Sequence, residues 1–79
     1  MKNILVVEDS MVMQAMISES LENSDFKVTK VSTFAQVKQS VENKDNDFFL
    51  AILDLNLPDT KYDEVVTYML KKNIKSIVY

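Results

Sequence analysis

The sequence contains no glycine at all. Glycine-rich phosphate loops need glycine so that backbone can approach a phosphate closely, so the dinucleotide fingerprint and the Walker loop are both excluded. Turns that require a left-handed residue must use Asn or Asp instead. Asn23, Asn46 and Asn73 fall where such turns are expected. Cysteine and histidine are absent too. That removes disulfides, thiol chemistry, histidine-bearing zinc sites and histidine general bases together. No basic stripe is present: 9 basic residues stand against 12 acidic ones, a net charge of -3, and direct nucleic-acid binding is not expected. Long apolar runs are missing as well. The opening run Ile4–Val7 is followed at once by Glu8 and Asp9, unlike a secretory signal, and no run approaches membrane-spanning length. These absences suit a cytoplasmic protein in a reducing compartment.

What is present is an ordinary globular composition, 47% hydrophobic and 27% charged. The 79 residues have room for one domain, expected to span 1–79. Chains of this size bury only about 60% of their unfolded surface, so the core is marginal.

Asn3–Val7 holds four aliphatic residues in five, the pattern of a strand buried on both faces. Asp9 or Ser10 can cap the helix that follows. Met13, Met16, Ile17 and Leu21 recur at helical spacing and predict a helix over Met11–Glu22, with Met11, Met13 and Met16 as core filling. Asn23-Ser24-Asp25 ends it, and Phe26–Val31 reads as a second, more exposed strand. Thr33 and Gln36 resemble a capping box. Phe34, Val37 and Val41 mark one face of a second helix, running to about Lys44 before a polar loop over Asn43–Asp47. Phe48–Leu53 is the most apolar stretch and is expected as the central strand, closed by Asp54. Leu55–Pro58 reads as a loop, since Pro58 turns the chain away from helix. Tyr62, Val65, Val66, Met69 and Leu70 form the stripe of a third helix, with Lys71 and Lys72 in its last turn and Asn73 ending it. Lys75–Tyr79 begins a fourth strand.

Strands alternating with helices imply right-handed crossovers and a parallel sheet covered on both faces. In such sheets ligands bind outside the carboxyl ends of the strands, where the strand order reverses. The first strand ends in Glu8-Asp9 and the third in Asp54. If these strands are neighbours, three carboxylates meet in one crevice. Two unit charges about 4 Å apart repel by roughly 4 kcal/mol at an effective dielectric near 20. A divalent cation relieves this, and magnesium suits one or two carboxylates plus waters and phosphate oxygens. An aspartate beside it can act as nucleophile and form an aspartyl phosphate. A blander reading stands beside this one: Asp9 and Ser10 as simple caps, and Asp54 as a strand-end acid in a solvated turn.

Val6-Val7-Glu8-Asp9-Ser10 resembles the opening signature of bacterial receiver domains of two-component response regulators. Leu53-Asp54-Leu55-Asn56-Leu57-Pro58-Asp59 resembles their phosphorylation-site signature. The resemblance implies a flavodoxin-like α/β fold, an open parallel sheet of order 2-1-3-4 with helices on both faces. It covers the whole chain but only part of the family's domain, whose fourth helix, fifth strand and fifth helix would lie beyond Tyr79. It implies that Asp54 is the phosphoacceptor. Asp9 would be a direct magnesium ligand, Glu8 the second acid, and Asn56 the residue whose backbone carbonyl completes the metal site. The implied donor is a phosphohistidine on a sensor histidine kinase or phosphotransfer protein. The implied outcome is regulation of an output domain or downstream protein, with a faint likeness to receivers joined to diguanylate cyclases.

The sequence also departs from the family. Tyr62-Asp63 stands where a glycine is usual, and the family's switch Ser/Thr and conserved lysine align beyond Tyr79. Ile77, Val78 and Tyr79 would then form an open sheet edge, which invites self-association. Two other functions compete: an interaction module with an unused acid pocket, and a magnesium-dependent phosphohydrolase. Haloacid-dehalogenase-type phosphatases need a second acid two residues after the nucleophile, where this chain has Asn56.

Overall fold

The computed structural model describes residues 2–54 and 56–79, with Tyr62 described by its backbone alone. The start of the expected loop at Leu55 and the Tyr62 side chain in the third-helix stripe lie outside the described residues. The elements are β1 (Asn3–Val7), α1 (Met11–Glu22), β2 (Lys27–Val31), α2 (Phe34–Glu42), β3 (Phe48–Leu53), β4 (Asn56–Leu57), β5 (Thr60–Lys61), α3 (Tyr62–Lys71) and β6 (Ser76–Val78). β2, β1, β3 and β6 form one parallel sheet in that order, which is the expected 2-1-3-4 once the β4–β5 hairpin is set aside. Right-handed crossovers in this order put α1 on one face and α2 with α3 on the other.

The two faces follow from the register. Leu5 lies opposite Ala51, and Val7 lies opposite both Val31 and Leu53. These side chains form the core with Val37 of α2 and Val65 and Met69 of α3, and Leu57 joins them. Ile4 and Val6 alternate to the other face and are equally buried. β1 is therefore the strand enclosed on every side. β3 is an interior strand as expected, between β1 and β6, but its burial is uneven: Phe49 is exposed and Leu50 and Ile52 are half-buried. A register slip between Asn3 and Ile4 takes Phe49 out of the alternation. Its ring stacks on Phe26 at 6.5 Å, beneath the Lys2 ammonium at 4.0 Å.

On α1 the expected methionine core is not found. Met11 and Met16 are 71% and 60% exposed, and Met13 is exposed too. The residues α1 buries are Gln14 and Ser18. The helix turns this polar line to the sheet, and no described element covers its methionine flank. The Ser18 hydroxyl is buried without a hydrogen-bond partner among the described residues. On α3, Leu70 likewise leaves the expected stripe and is exposed, while Val65 and Met69 are buried. Tyr68 is half-buried, edge-on to Phe34 at 5.6 Å, and its hydroxyl donates to Glu42 at 2.9 Å. Burial, then the Glu42 carboxylate, push its pKa up to about 12.

Two helices end on a left-handed residue without glycine. Asp25 (φ 66°) follows α1, where the Asp25 N–H donates to Glu22 and the Phe26 N–H to Leu21. Asn73 (φ 59°) follows α3 with the same pattern, donating to Leu70 while Ile74 donates to Met69. Both are Schellman ends, with the short polar side chain standing in for glycine. Asn73 meets the expectation. Asn23 does not, since its φ is -66° and the left-handed step falls two residues later. Asn46 is not among the positive-φ residues either; its amide instead donates to Ser40. The expected capping box is shifted: Thr33 accepts from the Gln36 N–H, but the Gln36 side chain reaches back to Ser32.

Among the described residues, no helix is long and apolar enough to cross a membrane.

Candidate functional site

The ladder bonds of the sheet run one step beyond the strands and set three residues in a row. The Glu8 N–H donates to Val31, the Asp54 N–H to Val7 and the Tyr79 N–H to Leu53, at 2.9–3.1 Å. Each continues the pairing of neighbouring parallel strands. Glu8 and Asp54 are thereby held side by side at the carboxyl ends of β1 and β3. Oxygens of Glu8, Asp9 and Asp54 lie within 4.8 Å of one another. The structure thus brings together the three acids singled out in the sequence. Glu8 is buried, Asp54 half-buried and Asp9 exposed.

Each acid has a different local hold. Glu8 Oε2 accepts the Ser10 N–H at 2.9 Å, and Glu8 Oε1 accepts the Tyr79 hydroxyl. Burial first, and then the Glu8 carboxylate, push the Tyr79 hydroxyl's pKa up. Ser10, not Asp9, is the N-cap of α1, and its Oγ accepts the Met13 N–H. Asp9 is thereby left to face the pocket. Asp54 Oδ1 accepts the Asn56 N–H at 3.1 Å. Asn56 itself is exposed and opens β4.

The donor set is oxygen throughout and clustered, which fits a hard cation such as magnesium. Two full charges about 5 Å apart repel by roughly 3 kcal/mol at an effective dielectric near 20, an upper bound where water reaches Asp9.

Sequence reasoning missed three supports. Gln14, on the buried line of α1, donates from Nε2 to the carbonyls of Glu8 and Val31, both at 3.1 Å. It ties the helix to the ends of β1 and β2 directly behind the acids. Its polar side chain amid the apolar spacing of α1 was the available signal. Tyr79, expected only as part of an open sheet edge, also reaches Glu8 through its hydroxyl. The third is the β4–β5 hairpin, in place of the expected plain loop. Asn56 pairs with Lys61 and Leu57 with Thr60, around Pro58-Asp59. Two-residue strands are too short to show alternation.

The profile of the response regulator receiver domain matches residues 4–78. The chain belongs to this family, whose members are signalling modules. The non-phosphorylated HemR receiver domain from Leptospira biflexa is similar to it (26% identity, TM-score 0.86), covering 99% of this chain and 63% of that one. The MaeR response regulator bound to beryllium trifluoride matches at 26% identity and TM-score 0.89, over 100% of this chain and 66% of its own. The crystal structure of histidine kinase ThkA in complex with the response regulator TrrA supplies a third match, at 25% identity and TM-score 0.85, over 99% and 67%. The chain therefore spans 63% to 67% of the length of these relatives. No curated protein matches the sequence.

Proposed function

We propose that Asp54 is the phosphoacceptor of this receiver domain and that the acid pocket works with magnesium. An Asp54 carboxylate oxygen attacks the phosphorus of a kinase or phosphotransfer-protein phosphohistidine. The P–N bond breaks as the P–O bond forms, and the imidazole keeps the electron pair and takes up a proton. Glu8, Asp9 and Asp54 would hold the metal through carboxylate oxygens, and Asn56 through its backbone carbonyl. The metal, when bound, offsets the negative charge that the phosphoryl group brings to the acids. The meeting of three carboxylates at the carboxyl ends of adjacent strands carries this reading. The MaeR relative bound to beryllium trifluoride and the kinase complex of TrrA support it by likeness. The added charge would bias packing near the strand ends and regulate an attached or separate output partner, in the cytoplasm.

Beryllofluoride with magnesium, followed by amide NMR, tests the assignment. Shifts centred on Glu8, Asp9 and Asp54 that vanish in Asp54→Asn are expected. A folded chain that responds to neither magnesium nor beryllofluoride would leave an interaction module with an unused pocket. Turnover of a small phosphate ester would instead make it a hydrolase, against the amide at Asn56.

A further inference from the structure

The first N–H groups of a helix have no partner inside it. At α2 these donors are satisfied from two directions. Thr33, the local cap, accepts from Gln36. The N–H groups of Phe34 and Ala35 donate instead to Asp59, to Oδ1 at 2.8 Å and Oδ2 at 3.1 Å. Asp59 comes from the turn of the β4–β5 hairpin, 24 and 25 residues along the chain. Both carboxylate oxygens are engaged, so the hairpin tip is held in orientation as well as position. The Phe34 and Ala35 N–H groups, with Lys38 nearby, hold the Asp59 carboxyl below its usual pKa despite an opposing desolvation.

The other end of this hairpin reaches the acid pocket. Asn56 opens β4 and donates its N–H to Asp54 Oδ1. Between the two ends, Leu57 is buried in the core and Pro58 restricts the turn. A short hydrogen-bonded path thus runs from Asp54 through Asn56 and the hairpin to Asp59 and the start of α2.

We propose that Asp59 is a positioning residue for the acid pocket: by bridging the first two N–H groups of α2, it pins the hairpin that presents Asn56 to Asp54. Its effect on metal binding rests on the function proposed above; its effect on the hairpin does not. The pocket is thereby anchored to α2, an element that contributes none of its acids.

The test uses the whole 79-residue chain and three variants: Asp59→Ala, Asp59→Asn and Thr33→Ala. Thr33→Ala weakens the same helix end without touching the hairpin and serves as the control. In metal-free protein, Asp59→Ala should speed amide exchange at Asn56, Leu57 and Lys61 by roughly fivefold or more, with Asp59→Asn between it and wild type because one acceptor oxygen remains. Thr33→Ala should leave those amides within about twofold at a comparable loss of thermal stability. Where wild type binds magnesium, Asp59→Ala should raise the midpoint of the magnesium titration by roughly fivefold, and Thr33→Ala should not. Unchanged hairpin exchange in Asp59→Ala, or equal acceleration by Thr33→Ala, overturns the proposal. If wild type ignores magnesium while the hairpin amides respond as stated, the metal reading falls and the Asp59 anchor stands. Should Asp59→Ala fail to fold, Asp59→Asn against Thr33→Ala carries the same comparison.

Discussion

The two faces of the sheet are built on different physics. Under α2 and α3, Leu5, Val7, Ala51 and Leu53 meet Val37, Val65 and Met69, and all of them are buried. Under α1, Ile4 and Val6 are buried just as deeply, but the helix offers them Gln14 and Ser18 while Met11, Val12, Met13 and Met16 point outward. One face is held by apolar packing. The other is held in part by the two Gln14 hydrogen bonds that dock α1 on the strand ends. The polar docking lies directly behind Glu8, so the helix nearest the acid pocket is tied to the pocket's own backbone.

Substitutions that probe each face should separate them. Met69→Ala removes a side chain with no exposure from the closed face. It should cost about 3 kcal/mol in urea unfolding, a large part of the stability of so small a domain. A loss under about 1 kcal/mol would mean that the face is looser than its burial indicates.

Gln14→Ala leaves the carbonyls of Glu8 and Val31 without this donor and should cost about 2 kcal/mol. Its NMR shifts should centre on Glu8 and Val31. A neutral outcome would show that water replaces the amide and that polar docking contributes nothing to α1.

Acid should distinguish the helix ends. Ser10 caps α1 with a neutral hydroxyl, whereas α2 receives the Asp59 carboxylate. A carboxyl whose folded-state pKa is lowered stabilises the fold above its unfolded pKa, and that contribution is lost as pH falls through the folded value. Amides of Phe34 and Ala35 should therefore lose protection on acidification, and Asp59→Asn should flatten the response. An identical acid response in the Asn variant would assign it to other carboxylates.

The smallest effect belongs to the outward flank of α1. Met16→Gln should change stability by less than about 0.5 kcal/mol, because Met16 is mostly exposed. A destabilisation near that of Met69→Ala would mean that Met16 is covered in solution, and sedimentation would then show whether a second chain covers it.

Much of this architecture was legible in the residues alone. β1, α1 and β3 occupy the spans read from local pattern, because an apolar run, a cap and a helical period are each encoded within a few residues. The meeting of Glu8, Asp9 and Asp54 was legible in part: the acids at the strand ends are local, whereas the adjacency of β1 and β3 followed only from the resemblance to receiver domains. The side of α1 that faces the sheet was not legible. Periodicity shows that a helix has an apolar stripe, but only packing decides whether another element covers it, and here Gln14 took the inner line because its amide meets two strand-end carbonyls. The clasp of Asp59 on α2 was hidden for the same reason. It joins residues 24 and 25 apart that share no local pattern, and only the folded path of the hairpin brings the carboxylate to the open N–H groups. Local chemistry determined which elements form and which acids end the strands; the long-range contacts that dock helices and anchor the pocket were decided by tertiary structure, where groups distant in sequence satisfy one another's hydrogen bonds.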